Sequence, residues 1–214
     1  ARKLAHEIKN PLTPIQLSID RIKEKYIKQV DKNEKDNFEE NLKIINNQIK
    51  QIGNLVNEFS DFARMPKPVL KRNDLIKIIH ENIKLLSEID PLIKIDFINN
   101  KPSILLECDK EQISRVIFNL IKNSIESIQQ KAENTSNFDK IITIEIFERN
   151  NQICIIIKDS GLGFGNIKNN IKDILNPYFT TKKNGTGLGL SIVNKIINDH
   201  NGEINFVSIP NGAK

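Results

Sequence analysis

The sequence predicts an α+β chain in two parts: a helical hairpin that forms a dimeric four-helix bundle, then a sheet covered on one face by helices. Over residues 8–59 apolar side chains recur at alternating gaps of four and three, the a/d heptad of a helix with one narrow seam. Beyond residue 68 that pattern gives way to helical periods mixed with β-branched runs. Between them stands Arg64-Met65-Pro66-Lys67-Pro68, whose two prolines make a stiff, extended connection. The domains expected are therefore 1–66, the hairpin, and 67–214, the mixed domain.

The first helix is read from Ile8, Leu12, Ile15, Ile19, Ile22 and Tyr26, and a polar break follows at residues 29–37. The heptad resumes as Phe38, Leu42, Ile45, Ile49, Ile52, Val56 and Phe59, which makes an antiparallel hairpin with a charged loop. One hairpin leaves much apolar surface uncovered. A second copy covers it in a homodimer, and packing against the chain's own C-terminal domain is the alternative. Past the prolines, residues 75–86 read as a helix, 93–98 and 104–107 as strands, and 112–130 as a long helix. Residues 141–148 and 152–158 form a hairpin turning at Asn150-Asn151. A Gly-rich stretch over 161–189 precedes a helix at 190–199 and a strand at 203–208.

The bulk composition is that of a globular protein, 38% hydrophobic and 28% charged. The net charge is +5, but 32 Lys and Arg are spread along amphipathic helices among 27 Asp and Glu without aromatic interleaving. That pattern argues for solvated faces and against nucleic acid. Cys108 and Cys154 sit in apolar, strand-like contexts and read as small buried hydrophobes in a reducing compartment. No stretch approaches the ~18 consecutive apolar residues of a membrane span, and there is no signal peptide. The chain does not begin with Met and reads as a cytoplasmic piece of something longer, with any membrane anchor upstream.

Four places carry chemistry. In His6-Glu7-Ile8-Lys9-Asn10-Pro11, His6 and Asn10 share one helix face, and Glu7 is placed to accept a ring N–H, leaving the other nitrogen nucleophilic. Pro11 and Pro14 would each cost about 3 kcal/mol inside a helix and loosen it just beyond the histidine. A lone helical His is usually structural; these neighbours reverse that reading. The long helix places Ile113, Val116, Ile117, Leu120, Ile121 and Ile128 on its buried face. Gln112, Arg115, Asn119, Asn123 and Glu126 fall on the opposite stripe, with Lys122 at its edge. Carboxamide oxygens suit Mg²⁺ and a lysine suits phosphate, although an Asn stripe alone is only a polar face.

Third, Asp159-Ser160-Gly161-Leu162-Gly163-Phe164-Gly165 follows an apolar strand, where an Asp can accept from an exocyclic amine such as adenine's. Fourth, Gly185-Thr186-Gly187-Leu188-Gly189-Leu190 opens a helix whose free N–H groups suit phosphate, in neither the dinucleotide nor the P-loop pattern. Asn176-Pro177-Tyr178-Phe179-Thr180-Thr181-Lys182 between them reads as a mobile lid with an aromatic anchor. His80 and His200 occupy polar helix positions without ligand-like neighbours and read as structural.

Together these segments resemble the boxes of the sensor histidine kinases of two-component systems, in the order H box HEIKNP, N box NLIKNSIES, first glycine box DSGLGFG, F box NPYFTTK and second glycine box GTGLGL. The resemblance covers nearly the whole chain, and LTPIQLS after the H box looks like the nitrogen-regulation subgroup. It implies a Bergerat-type α/β sandwich that binds ATP and Mg²⁺. By it, His6 is the phospho-acceptor, Glu7 its general base, and Asn10 the residue that helps water attack a phosphorylated response regulator. Asn123 coordinates Mg²⁺, with Asn119 and Lys122 near the phosphates. Asp159 recognises adenine, and Gly161 and Gly163 shape its pocket. Phe179, Thr181 and Lys182 belong to the lid, and Gly185, Thr186, Gly187, Leu188 and Gly189 hold its base and the phosphates.

The partners implied are a second copy of the chain and a response regulator receiver domain. Two departures stand out: only five residues precede His6, and the chain stops near Asn211-Gly212-Ala213-Lys214, so that the last strand is expected to be missing. Two rival readings fit parts of the pattern: a chaperone-like or topoisomerase-like ATPase clamp, which does not need the H box, and a dimeric scaffold that binds ATP without transferring phosphate.

Overall fold

A computed structural model describes residues 2–31, 33–164, 171–182, 185–210 and 212–214, and it leaves the side chains of residues 2–6 and 171–172 undescribed. The chain forms two compact units, Ala1–Pro66 with Thr180–Leu188, and Lys67–Phe179 with Gly189–Lys214.

In the first unit, α1 (Arg2–Tyr26) and α2 (Lys35–Ala63) form the expected hairpin. The apolar seam drives it: Ile19, Leu42 and Val56 are only 6%, 7% and 6% exposed, and Gln16 Nε2 bridges to Asn46 Oδ1 at 2.7 Å. Much of the rest of the seam stays open, with Ile15, Ile22, Ile45 and Ile52 each 41–46% exposed. Pro11 and Pro14 do not interrupt α1. A proline's φ is that of a helix, so its damage is limited to ring crowding and to the carbonyls of Glu7 and Asn10, which lose their donors on a solvent-exposed stretch.

In the second unit, the main sheet has the order β2-β4-β5-β7-β6. β2 (Lys94–Asn99) runs parallel to β4 (Ile141–Arg149), which pairs antiparallel with β5 (Gln152–Asp159) through a turn with positive φ at Asn150 (50°) and Asn151 (62°). That is the twist a two-residue hairpin requires, and Asn tolerates it. On β4, Ile142, Ile144 and Ile146 are 0–2% exposed and alternate with half-buried neighbours, so one face of the sheet takes the helices. They are α3 (Leu75–Ser87), α4 (Lys110–Asn134) and α5 (Gly189–Asp199), with α4 packed between the other two. Each such isoleucine contributes about 1.5–3 kcal/mol of burial.

Several expectations change. The strand read at 104–107 is present as β3 (Leu105–Cys108), and it pairs with β1 (Lys71–Asp74) as a separate two-stranded sheet. The Lys-Arg-Asn-Asp run of β1 carries no apolar alternation, so periodicity does not reveal this partner. The strand expected at 203–208 is reduced to β6 (Ser208–Ile209), because β7 (Gly212–Ala213) offers a ladder only there, extended by Val207–Lys214 bonds of 2.7 and 2.9 Å. β7, two residues long, pairs Ala213 with Asp159. On α4, Gln112 is buried rather than on the polar stripe, whereas Leu120 is only half-buried.

Side chains fix the ends of these elements. Asp109 caps α4 by accepting from the N–H groups of Glu111 and Gln112 at 3.1 Å, and its other oxygen accepts from Val69 N at 2.9 Å. Although burial pushes its pKa up, these N–H donors and nearby His200 hold the carboxyl below the usual range. Its stabilisation is therefore present above the ordinary carboxylate pKa of about 4 and is lost as pH falls through the depressed value. Replacing it, Asp109→Ala, should cost about 1–2 kcal/mol at pH 7 in urea denaturation, with the difference shrinking in acid. His200 ties the end of α5 to this cap, accepting from Asp109 N at Nε2 (3.0 Å) with Nδ1 2.8 Å from Ile196 O. α5 then ends with Asn201 at φ 57°, Asn201 N bonded to Asn198 O and Gly202 N to Ile197 O, a Schellman turn. His80 meets Phe97 edge-on at 4.9 Å. Both histidines thus make contacts within the second unit.

Candidate functional site

In the second unit the site is organised by α4. Asn119 and Asn123 lie one turn apart and are half-buried, while Lys122 is exposed with its Nζ 3.8 Å from Glu126 Oε1. Rotated from that polar stripe, Ser124, Ser127 and Lys131 follow at spacings of three and four and meet the turn after β5.

Asp159 ends β5 with one carboxylate oxygen accepting from Ser124 Oγ at 3.2 Å and the other from Gly161 N at 2.9 Å. Burial pushes its pKa above the ordinary carboxylate value, opposed by those two donors, by the Ala213 backbone and by the charge of Lys131. Gly161 presses against α4 so closely that a Cβ there would stand 2.8 Å from the backbone carbon of Ser127, so no larger residue fits. Gly163 turns the chain at φ 66°, where a Cβ would stand 3.0 Å from the carbonyl carbon of Gly212. Gly165 lies outside the described residues.

The lid sequence follows a 3-10 turn at Ile171–Leu175. Tyr178 is exposed and holds a positive φ of 69°, uncommon for an aromatic residue, and Phe179 beside it is half-buried with its N–H on Asn176 O at 3.2 Å. In the first unit, Thr181 is exposed and Lys182 half-buried, its N–H on Thr180 Oγ1 at 3.1 Å. Gly185 N reaches Lys182 O at 3.2 Å, Thr186 Oγ1 bonds the carboxylate of Glu58, Gly187 has φ 70°, and Leu188 is fully buried. Gly189, in the second unit, is the first residue of α5, one position earlier than expected. Glu7 and Asn10 are exposed on α1; His6 is in the same helix, with its side chain outside the described part.

Among the described residues no group of three or more His, Cys, Asp or Glu could hold a metal. A cation here would rely on the Asn123 amide oxygen and on oxygens of its ligand and water, which suits Mg²⁺ and not a softer metal. Nor is any described helix long and apolar enough to cross a membrane. Sequence reasoning passed over Ser127 and Lys131. Their trace was there, as polar residues spaced three and four from Ser124 on a face otherwise apolar.

Residues 1–68 match the family described as His Kinase A (phospho-acceptor) domain, and residues 108–214 match Histidine kinase-, DNA gyrase B-, and HSP90-like ATPase. The chain belongs to the sensor histidine kinase family. Among kinase relatives, it is 37% identical over 212 residues to nitrogen regulation protein NtrY of Azorhizobium caulinodans, covering 99% of this chain and 27% of that protein. It is 34% identical to a putative sensor histidine kinase NtrY-like of Rickettsia felis, covering 97% of this chain and 33% of that one. The kinase chain thus spans about a third or less of the length of these relatives. Among solved structures, histidine kinase ThkA in complex with response regulator protein TrrA matches with a TM-score of 0.66 at 27% identity, over 99% of this chain and 58% of that one. The catalytic domain of ThkA alone matches with 0.58 at 28%, over 68% of this chain and 91% of that one.

Proposed function

We propose that this chain is the cytoplasmic core of a sensor kinase that transfers the γ-phosphoryl group of ATP to His6 and then to an Asp of a response regulator receiver domain. One observation carries the reading: an ATPase domain with a half-buried, doubly bonded Asp159 shares a chain with a phospho-acceptor helix bearing His6, Glu7 and Asn10. Asp159 would accept from the exocyclic amine of adenine. Asn123 would hold Mg²⁺, flanked by Asn119 and Lys122, and the ion's charge would offset that of the phosphates. The N–H groups near Gly187 and Gly189 would face phosphate oxygens, with Phe179, Thr181, Lys182, Gly185, Thr186 and Leu188 forming the closing segment. In the transfer a P–N bond forms at the imidazole as the P–O bond to ADP breaks, and Glu7 takes the imidazole's other proton. Asn10, exposed one turn from His6, would orient the water that hydrolyses the aspartyl phosphate of the regulator, releasing inorganic phosphate and the free Asp.

The exposed isoleucines of the hairpin support a homodimer. The closeness to NtrY-like kinases favours the nitrogen-regulation subgroup. Incubation with Mg²⁺ and γ-labelled ATP should give label that is acid-labile and alkali-stable, and His6→Gln should lose it by at least about a hundredfold. Label of equal strength on His6→Gln would reject the site, and ATP binding without any label would favour a scaffold.

A further inference from the structure

Three side chains of α4 hold the turn that carries Asp159, each at its own point. Ser124 Oγ donates to the Asp159 carboxylate at 3.2 Å, Lys131 Nζ donates to Ser160 O at 2.7 Å, and Ser127 Oγ accepts from Leu162 N at 3.0 Å. Lys131 is steadied by the face of Phe138, 4.6 Å below its ammonium. The far side of the turn is tied to the start of β4, where Ile141 N donates to Ser160 Oγ at 3.0 Å and Ser160 N to Ile141 O at 3.1 Å. Gly161 closes the contact, since its missing Cβ lets the turn lie against the backbone of Ser127. Asn119 and Asn123 project from the same helix about a quarter-turn around, with Lys122 farther round beside them. A rigid helix that grips the turn and also carries the Asn stripe sets the distance between a base reader and a phosphate site.

We propose that Ser127 and Lys131 are positioning residues for nucleotide recognition: they lock the Asp159–Leu162 turn onto α4, in register with Asn119 and Asn123. The proposal rests on the reading of Asp159 as the residue that meets the nucleotide base. Neither side chain needs to touch the ligand. A bound purine must satisfy Asp159 and the phosphate-side groups at once, so a loosened turn would cost affinity through the ordering that binding must then supply. Lys131 matters most, because a carbonyl bonded to an ammonium is held more strongly than one bonded to a neutral donor.

The test uses the whole chain in two readouts. Amide hydrogen exchange without nucleotide reads the turn itself. Lys131→Met, which keeps the stem over Phe138, should raise exchange at residues 160–162 by at least about tenfold while α4 and the β4–β5 hairpin stay protected; Ser127→Ala should do so at residue 162. Titration with ADP reads the consequence. Lys131→Met should bind about tenfold more weakly, and Lys131→Arg, which can still donate to Ser160 O, should recover to within about threefold of the unaltered chain. Unchanged exchange at 160–162 in Lys131→Met would overturn the proposal, as would faster exchange with unchanged ADP affinity. If the exchange changes appear but the unaltered, folded chain binds neither ADP nor ATP, the clamp stands as a feature of the turn while its nucleotide role falls with the reading of Asp159.

Discussion

The Asp159→Asn variant should lose nucleotide binding and gain stability. A carboxylate still has acceptor capacity to spare after bonding Ser124 Oγ, Gly161 N and the Ala213 backbone. An amide has one acceptor oxygen, and if that oxygen keeps Gly161 N, its NH₂ faces the exocyclic amine of the base, donor against donor. Losing one charge-assisted bond and gaining that opposition should weaken ATP binding by about a hundredfold or more in calorimetric titration. Stability moves the other way because burial raises the Asp159 pKa. Between the ordinary and the raised value the folded state binds more protons than the unfolded, so this group's contribution to stability falls as pH rises through that window. The amide removes the buried charge, and the Ser124 hydroxyl can rotate to accept from it. The nucleotide-free variant should therefore melt a few degrees above the parent near pH 7, with the gain vanishing in acid below about pH 4. A variant that melts lower at pH 7 would mean that the hydrogen bonds to the carboxylate outweigh its desolvation.

Oligomerisation gives the second large effect. Ile45 is 45% exposed in the hairpin, whereas Leu42, one turn earlier on the same helix, is 7% exposed. In a lone hairpin Ile45→Glu would cost almost nothing. In the core of a four-helix bundle it would bury an unpaired charge in each copy, at about 3–5 kcal/mol apiece. Light scattering at micromolar concentration should show dimers for the parent and monomers for Ile45→Glu, with helix content kept. Leu42→Ala should instead destabilise the hairpin itself by about 2–5 kcal/mol. A parent that runs as a monomer would rule out the homodimer.

Much of the architecture was readable because its signals are local. The heptad from Ile8 to Phe59, the Asn150-Asn151 turn and the isoleucines of α4 each state their structure within a few residues, and α1, α2, β4, β5 and α4 follow. The candidate site segments stood out too, since glycines, a strand-end Asp and paired amides are chemically distinctive. What local signals did not give was strand pairing between segments far apart along the chain. Residues 104–107 carry a short apolar run that reads as a strand, but their pairing with Lys71–Asp74 is fixed with the help of Asp74, which caps α3 at Ile76 N and accepts from Ile104 N. Residues 203–208 have strand propensity, yet only Ser208–Ile209 find a ladder.

The sequence by itself determined the two-part plan, the first helix that bears His6, the order of the boxes and hence the family, because period, turn chemistry and motif are properties of contiguous residues. Only the tertiary structure decided that Asp159 is half-buried with its pKa raised and that Gly161 lies against Ser127. It also decided that Lys131 reaches the Ser160 carbonyl. Burial and hydrogen-bond geometry arise where α4 meets the end of β5, residues some 30 positions apart, and no local pattern in either segment encodes that meeting.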